Sequence, residues 1–172
     1  IESNMFNGCV NLSNVDISNS VEYFGQFCFA KCNKLTTIII PNETAKLDFS
    51  SFEDCVNLET VVLPKKLTVL GTGLFSGCTK LKNIELPESV TEIGDFAFTN
   101  CESLVSVALP ESLNSISNWL FGSCLNLQSV IIPDSVTSIG DSAFFDCHKL
   151  KSLLVPDSVT SIGGYAFSGC DS

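Results

Sequence analysis

The chain has 172 residues, 45% of them hydrophobic, and a formal net charge of −10, which is enough apolar material for one continuous core. All nine basic residues are Lys, so the forked donor that phosphates favour is missing and nucleic acid is not an expected partner. No run approaches the roughly 18 uninterrupted apolar residues a membrane helix needs, and the first residues lack the basic-then-apolar layout of a signal peptide.

The sequence opens inside a unit, with Ile1 aligned to Ile93. Phe6 and Cys9 follow, and both recur every 23 residues: Phe29, Phe52, Phe75, Phe98, Phe121, Phe144 and Phe167, and Cys32, Cys55, Cys78, Cys101, Cys124, Cys147 and Cys170. Self-similarity at a fixed period of this length signals a solenoid. Three residues after each of these cysteines from Cys9 to Cys147 comes a leucine, from Leu12 and Leu35 to Leu127 and Leu150.

Beyond the leucine each unit alternates as a short strand. Val15, Ile38, Val61, Ile84, Val107, Val130 and Leu153 are expected to point inward, as are Ile17, Ile40, Leu63, Leu86, Leu109, Ile132 and Val155 two residues on. The two intervening rows then face out. One is small and polar (Asn14, Thr37, Thr60, Asn83, Ser106, Ser129, Ser152) and the other mostly apolar (Asp16, Ile39, Val62, Glu85, Ala108, Ile131, Leu154). An exposed apolar row beside a flat polar row suits docking of an extended partner or a protein face, although strand propensity alone also favours Ile and Val there.

All six prolines stand directly after these strands, where a missing amide donor ends ladder pairing. A turn follows, as at Asp134-Ser135, then a second apolar pair such as Val136 and Ile139 in a short extended piece, closed by a glycine such as Gly94, Gly140 or Gly163. These glycines are expected to supply a positive φ. The last piece, Asp141 to Cys147, reads as one helical or 3₁₀ turn with Asp141 as its N-cap.

Stacked units would place the Phe, Leu and Cys columns in one core. Only Cys28 and Cys32 come close to metal-ligand spacing, and no second pair completes a four-ligand set, so no metal or cofactor is expected. Neighbouring coils at about 4.8 Å lie inside the Cα range for disulfides, but side chains pointing in parallel disfavour the bridge, and the cysteines read as buried free thiols. His148, the single histidine, falls in a column that tolerates any residue and marks a solvent-facing turn. No nucleophile, base and acid cluster exists for an enzyme. Glu88, Glu111, Asp134 and Asp157 form a like-charge row that could hold calcium, but turn chemistry explains it more simply. Trp119, with Phe27, Phe96 and Tyr165 in its column, reads as a cover over the core, with a second contact stripe as the alternative.

The unit from Leu127 to Cys147, with Ile-Pro, Ser-Val, Ile-Gly, Ala-Phe and Cys at fixed positions, resembles the BspA-like, or treponemal-type, leucine-rich repeats. The resemblance spans the whole chain. It implies an α/β solenoid: a right-handed coil with a parallel β-sheet on the concave side and short helical or 3₁₀ turns and extended pieces on the convex side. It also implies a non-enzymatic adhesion module on the cell surface or secreted, binding a host extracellular-matrix or cell-surface protein. An intracellular interaction scaffold is the alternative. Departures from the pattern include Ser18 for proline, Asp48 and Ser117 for glycine, and Thr44 for the usual Val or Leu. The chain is expected to be a single domain of about seven coils taken from a longer array, with end coils open to end-to-end self-association.

Overall fold

Apolar side chains that repeat every 23 residues can share one core only if equivalent positions stack, and in the computed structural model, which describes residues 1–171, they do. In chain order the strands are β1 (Tyr23–Phe24), β2 (Thr37–Ile39), β3 (Lys46–Leu47), β4 (Thr60–Val62), β5 (Val69–Leu70), β6 (Glu92–Ile93), β7 (Ser106–Ala108), β8 (Ser115–Ile116), β9 (Ser129–Ile131), β10 (Ser138–Ile139) and β11 (Ser161–Ile162). Every pairing is parallel and joins a residue to its equivalent one coil on, as in Thr37↔Thr60 and Ser138↔Ser161.

Two ladders result. The first is the expected sheet, but it is broken: β2 pairs only with β4 and β7 only with β9, with a single bridge from Asn83 to Ser106. The segments Asn14–Asp16, Asn83–Glu85 and Ser152–Leu154 form no strand. The first two place Asn and an acid where the paired coils place Thr or Ser and Ile, Val or Ala, and Asn, Asp and Glu are poor strand residues; Ser152–Leu154 carries neither, and its sequence does not explain its lack of pairing. The second ladder, expected only as extended pieces, is more continuous: β1-β3-β5-β6 in one run and β8-β10-β11 in another.

Its glycines act differently from the expectation. Gly94 and Gly140 are not among the residues with positive φ; they are glycine because a Cβ on Gly94 would lie 2.5 Å from the Thr72 amide nitrogen, and one on Gly140 2.7 Å from that of Asn118. Each amide reaches into the preceding coil, Gly94 to the Leu70 carbonyl and Gly140 to that of Ile116, both at 2.8 Å, whereas Asp48 in the same column makes the equivalent bond to the Phe24 carbonyl at 3.3 Å. Where Ser117 replaces the glycine, its hydroxyl donates to the Ile93 carbonyl instead. The ladder parts there, between β6 and β8.

The predicted helical turns do not form: among the described residues there is no helix. Ser142 and Asp146 adopt left-handed φ of 53° and 55°, as do Trp119 and Ser123 one coil earlier at 55° and 57°, which no α- or 3₁₀-helix tolerates. The amides also divide their partners. Ser142, Phe144 and Asp146 donate to Gly164, Ala166 and Ser168 of the next coil at 2.8–2.9 Å, whereas Phe145 and Cys147 donate three residues back within their own coil. The segment is thus a chain of turns that also serves as a third inter-coil ladder. Asp141 is no N-cap; its carboxylate accepts the Gly164 amide of the next coil at 2.7 Å.

The core is one column of rings and its surroundings. Phe29, Phe52, Phe75, Phe98, Phe121 and Phe144 are fully buried and stack face to face with centroids 5.5–5.8 Å apart. The buried Thr44, in a column of Val and Leu, donates its hydroxyl to the Val21 carbonyl at 3.0 Å. No buried side-chain nitrogen or oxygen among the described residues lacks a partner.

Phe98→Ala, which removes one ring from the middle of the stack, is expected to destabilise the fold by about 3–5 kcal/mol in a denaturant melt. Gly94→Ala forces its Cβ against the preceding coil and should cost about 1–3 kcal/mol. Ser117→Gly should let β6 and β8 pair, read as slower hydrogen exchange of the amide at position 117; unchanged exchange would rule out the Cβ as the cause of the break.

Candidate binding surfaces

The outward rows of the first ladder are where the alternation places them. Asn14, Thr37, Thr60, Asn83, Ser106, Ser129 and Ser152 are all exposed, and so are Asp16, Ile39, Val62, Glu85, Ala108, Ile131 and Leu154. Their inward neighbours Ile38, Val107 and Val130 are buried, so one strand residue fixes the core while those beside it meet solvent. Register brings Ile39 beside Val62 and Ala108 beside Ile131. Glu85 stands between these two apolar pairs in the row.

The breaks in the ladder open two grooves on this face. One lies between residues 59–65 and 83–87, with Val62, Leu63, Ile84 and Leu86 along it and Glu59, Lys65 and Glu85 as its charges. Val61, Leu63 and Leu86 are only half-buried here, although Ile40 and Leu109 in the column of the last two are buried. A smaller groove lies between residues 14–19 and 37–42. Sequence reasoning missed both, though Asn14, Asp16, Asn83 and Glu85 carried the signal.

The other candidate residues fall elsewhere. Glu88, Glu111, Asp134 and Asp157 are exposed turn residues, and the Glu88 carboxylate accepts the Glu111 amide at 3.3 Å. Among the described residues no three His, Cys, Asp or Glu side chains converge to hold a metal ion. His148 is exposed, with Nδ1 2.9 Å from the Gly169 carbonyl and 3.2 Å from the Asp171 carboxylate. Trp119 packs over Gly122 and between Phe96 and Phe145, with ring centroids 6.2 and 5.1 Å away. Tyr165, in the same column, stays 77% exposed.

The cysteines are free thiols, buried from Cys28 to Cys147, with Cys9 exposed and Cys170 half-buried. Each ladder thiol from Cys32 onward donates to the carbonyl of the phenylalanine 26 residues earlier, at 3.1–3.3 Å. Burial disfavours the thiolate. It pushes Cys28 and Cys32 up from 9.0 to about 11 and Cys55 and Cys147 to about 12, and it raises Cys78 and Cys124 well above the ordinary thiol range. A group held as the neutral thiol is a poor nucleophile and a poor metal ligand.

A family model described as the BspA type leucine rich repeat region matches in six copies, over residues 1–124 and 68–172. Among solved structures, a leucine-rich repeat protein from Bacteroides ovatus is 35% identical, with a TM-score of 0.95 over 98% of this chain and 44% of its own. The leucine-rich repeat protein of T. pallidum is 32% identical, with a TM-score of 0.80 over 99% of this chain and 69% of its own. A leucine rich cell surface protein from Faecalibacterium prausnitzii is 33% identical, with a TM-score of 0.70 over 79% of this chain and 37% of its own. No curated protein matches. This chain therefore spans less than half the length of the B. ovatus and F. prausnitzii proteins.

The thiol shifts predict an alkaline weakness. In the unfolded chain these groups ionise near 9.0, but folded Cys55 and Cys147 hold their protons to about 12. Their contribution is whole below the lower value and is lost as pH rises through the window, because the unfolded state sheds protons first. The urea midpoint should fall between about pH 9 and about pH 12, and fall less steeply in Cys55→Ala. Equal slopes for the two proteins would refute the assignment.

Proposed function

Because the chain belongs to the BspA-type leucine-rich repeat family, we propose that it is a non-enzymatic protein-interaction module that engages its partners with the outward rows of the first ladder. The observation that carries this reading is the exposure of Ile131 and Leu154, at 66% and 85%, in a row flanked by small polar side chains. Ile131 is held in water by the register of β9 on β7 and so keeps little conformational entropy to lose on docking, and both side chains gain from burial. Flat Ser and Thr neighbours let a partner's surface approach closely.

The F. prausnitzii relative is a cell surface protein, and the family's association with adhesion points the same way. Both support a surface or secreted location; the partner we infer is an extracellular-matrix or cell-surface protein, and the described coils are taken to act as one domain. A binding screen of the whole chain against immobilised matrix proteins, repeated with Ile131→Asp and Leu154→Asp, tests this. Each substitution should weaken binding at least about tenfold, roughly 1.4 kcal/mol. Neither should move the melting temperature, since both side chains are exposed. Binding that survives both changes would eliminate the strand face as the docking surface.

A further inference from the structure

The net charge is not spread along the solenoid. Residues 83–148 hold nine Asp and Glu and not one Lys, so −9 of the −10 falls there, whereas residues 1–82 set seven Lys against eight carboxylates. The ion pairs among the described residues, Lys66–Glu43 and His148–Asp171, use no carboxylate of that stretch.

Part of this charge borders the strand face. Pro87, Pro110 and Pro133 close the first-ladder segments, and the next residues, Glu88, Glu111 and Asp134, are all exposed. Lys65 holds the same column one coil earlier, so the acidic row begins where the lysines end. The hydrogen bond from the Glu111 amide to the Glu88 carboxylate fixes the two side by side, one coil apart. These carboxylates form a line and do not converge on a point. Alongside runs the apolar row, Ala108 and Ile131 in register on β7 and β9, then Leu154.

We propose that the face bounded by the Glu88, Glu111 and Asp134 edge and the Ala108, Ile131 and Leu154 row docks a polypeptide segment bearing Lys or Arg side chains along one edge and apolar side chains along the other, laid along the solenoid axis. This rests on the strand-face reading of the preceding subsection and gives that partner a chemistry. Charge complementarity selects it. An anionic polymer or lipid surface is repelled by the row, and a neutral apolar strand would strip water from carboxylates while offering no counter-charge.

The test is a titration of the whole chain with a labelled peptide of alternating Lys and Val, about twelve residues long, with its Glu and Val counterpart as the contrast. The Lys peptide should bind and weaken as salt rises, and the Glu peptide should not bind. The triple variant Glu88→Lys, Glu111→Lys, Asp134→Lys should lose at least about tenfold in affinity. The charge-matched triple Glu2→Lys, Glu22→Lys, Glu102→Lys should stay within about twofold. Ile131→Ser should lose affinity as well. An equal loss in the matched triple, or equal binding of the Glu peptide, overturns the proposal. If the edge triple keeps its affinity while Ile131→Ser loses it, the charged edge is wrong and the strand face stands. If neither loses affinity, both fall.

Discussion

Each coil is held to the next at a phenylalanine. The ring of Phe98 stacks on that of Phe121, with centroids 5.7 Å apart, and its carbonyl accepts two hydrogens: the Cys101 amide of its own coil and the Cys124 thiol of the next, both at 3.1 Å. One residue thereby closes a turn locally and joins two coils. The cysteine column follows from this. Position 124 must fill core space like a small hydrophobe and still offer a hydrogen to the carbonyl of a buried residue. Valine would pack without donating. Serine would donate but leave a smaller, more polar group in the core. A thiol does both at low cost, because its own hydration is weak.

This anchoring explains how the solenoid tolerates damage on its surfaces. Neighbouring coils share the ring stack, the first ladder, the second ladder and the turn ladder through residues such as Phe144 and Asp146. Between β4 and the Asn83 coil the first ladder is open, yet β5 pairs with β6 and Phe75 stacks on Phe98 across the same boundary. Between β6 and β8 the second ladder is open, and there Phe98 stacks on Phe121. Because stability in such arrays is close to a sum of nearest-neighbour terms, losing one ladder at one boundary is a local expense. The strand face can therefore open into grooves without loosening the core.

The columns were legible because each inward position sees the same neighbours in every coil, so the Phe, Leu and Cys columns recur without substitution and those of Ile38 and Ile40 vary only among Val, Ile and Leu. The turn segment was misread because Ala143, Phe144 and Cys147 have the spacing of a helical face, and apolar spacing alone cannot distinguish a helix from successive turns that bury the same residues. The contrary signal was in the neighbouring columns. Gly73, Gly77, Gly8, Gly169, Asn4 and Asn100 occupy the two left-handed positions, four residues apart, in other coils, and recurring Gly and Asn at one column is a backbone requirement. The Gly94 column looked like the same requirement and is instead one of clearance. Sequence alone does not separate a glycine needed for φ from one needed for space. The ladder breaks were legible only in hindsight of register, since Asn83 and Glu85 matter as poor strand residues only once their partners across the coil boundary are known.

The same arithmetic that fixes the core leaves the surface free. A residue on an outward row touches its equivalents in the coils before and after it, but it carries no part of the Phe and Cys network. Glu85 can interrupt the apolar row, and Leu154 can stand 85% exposed, because Ile84 and Leu153 beside them face the core. Recognition chemistry on this scaffold is consequently written one residue per coil, along the axis and across the strands. On the proposed face, a partner would read a column. Separate carboxylates one coil apart, such as Glu88 and Glu111, present a line of charge rather than a chelating pocket, and an exposed row on registered strands presents a line of apolar contacts. A repeat protein built this way suits extended partners better than small molecules, for the same geometric reason that its core admits only residues able to stack upon themselves.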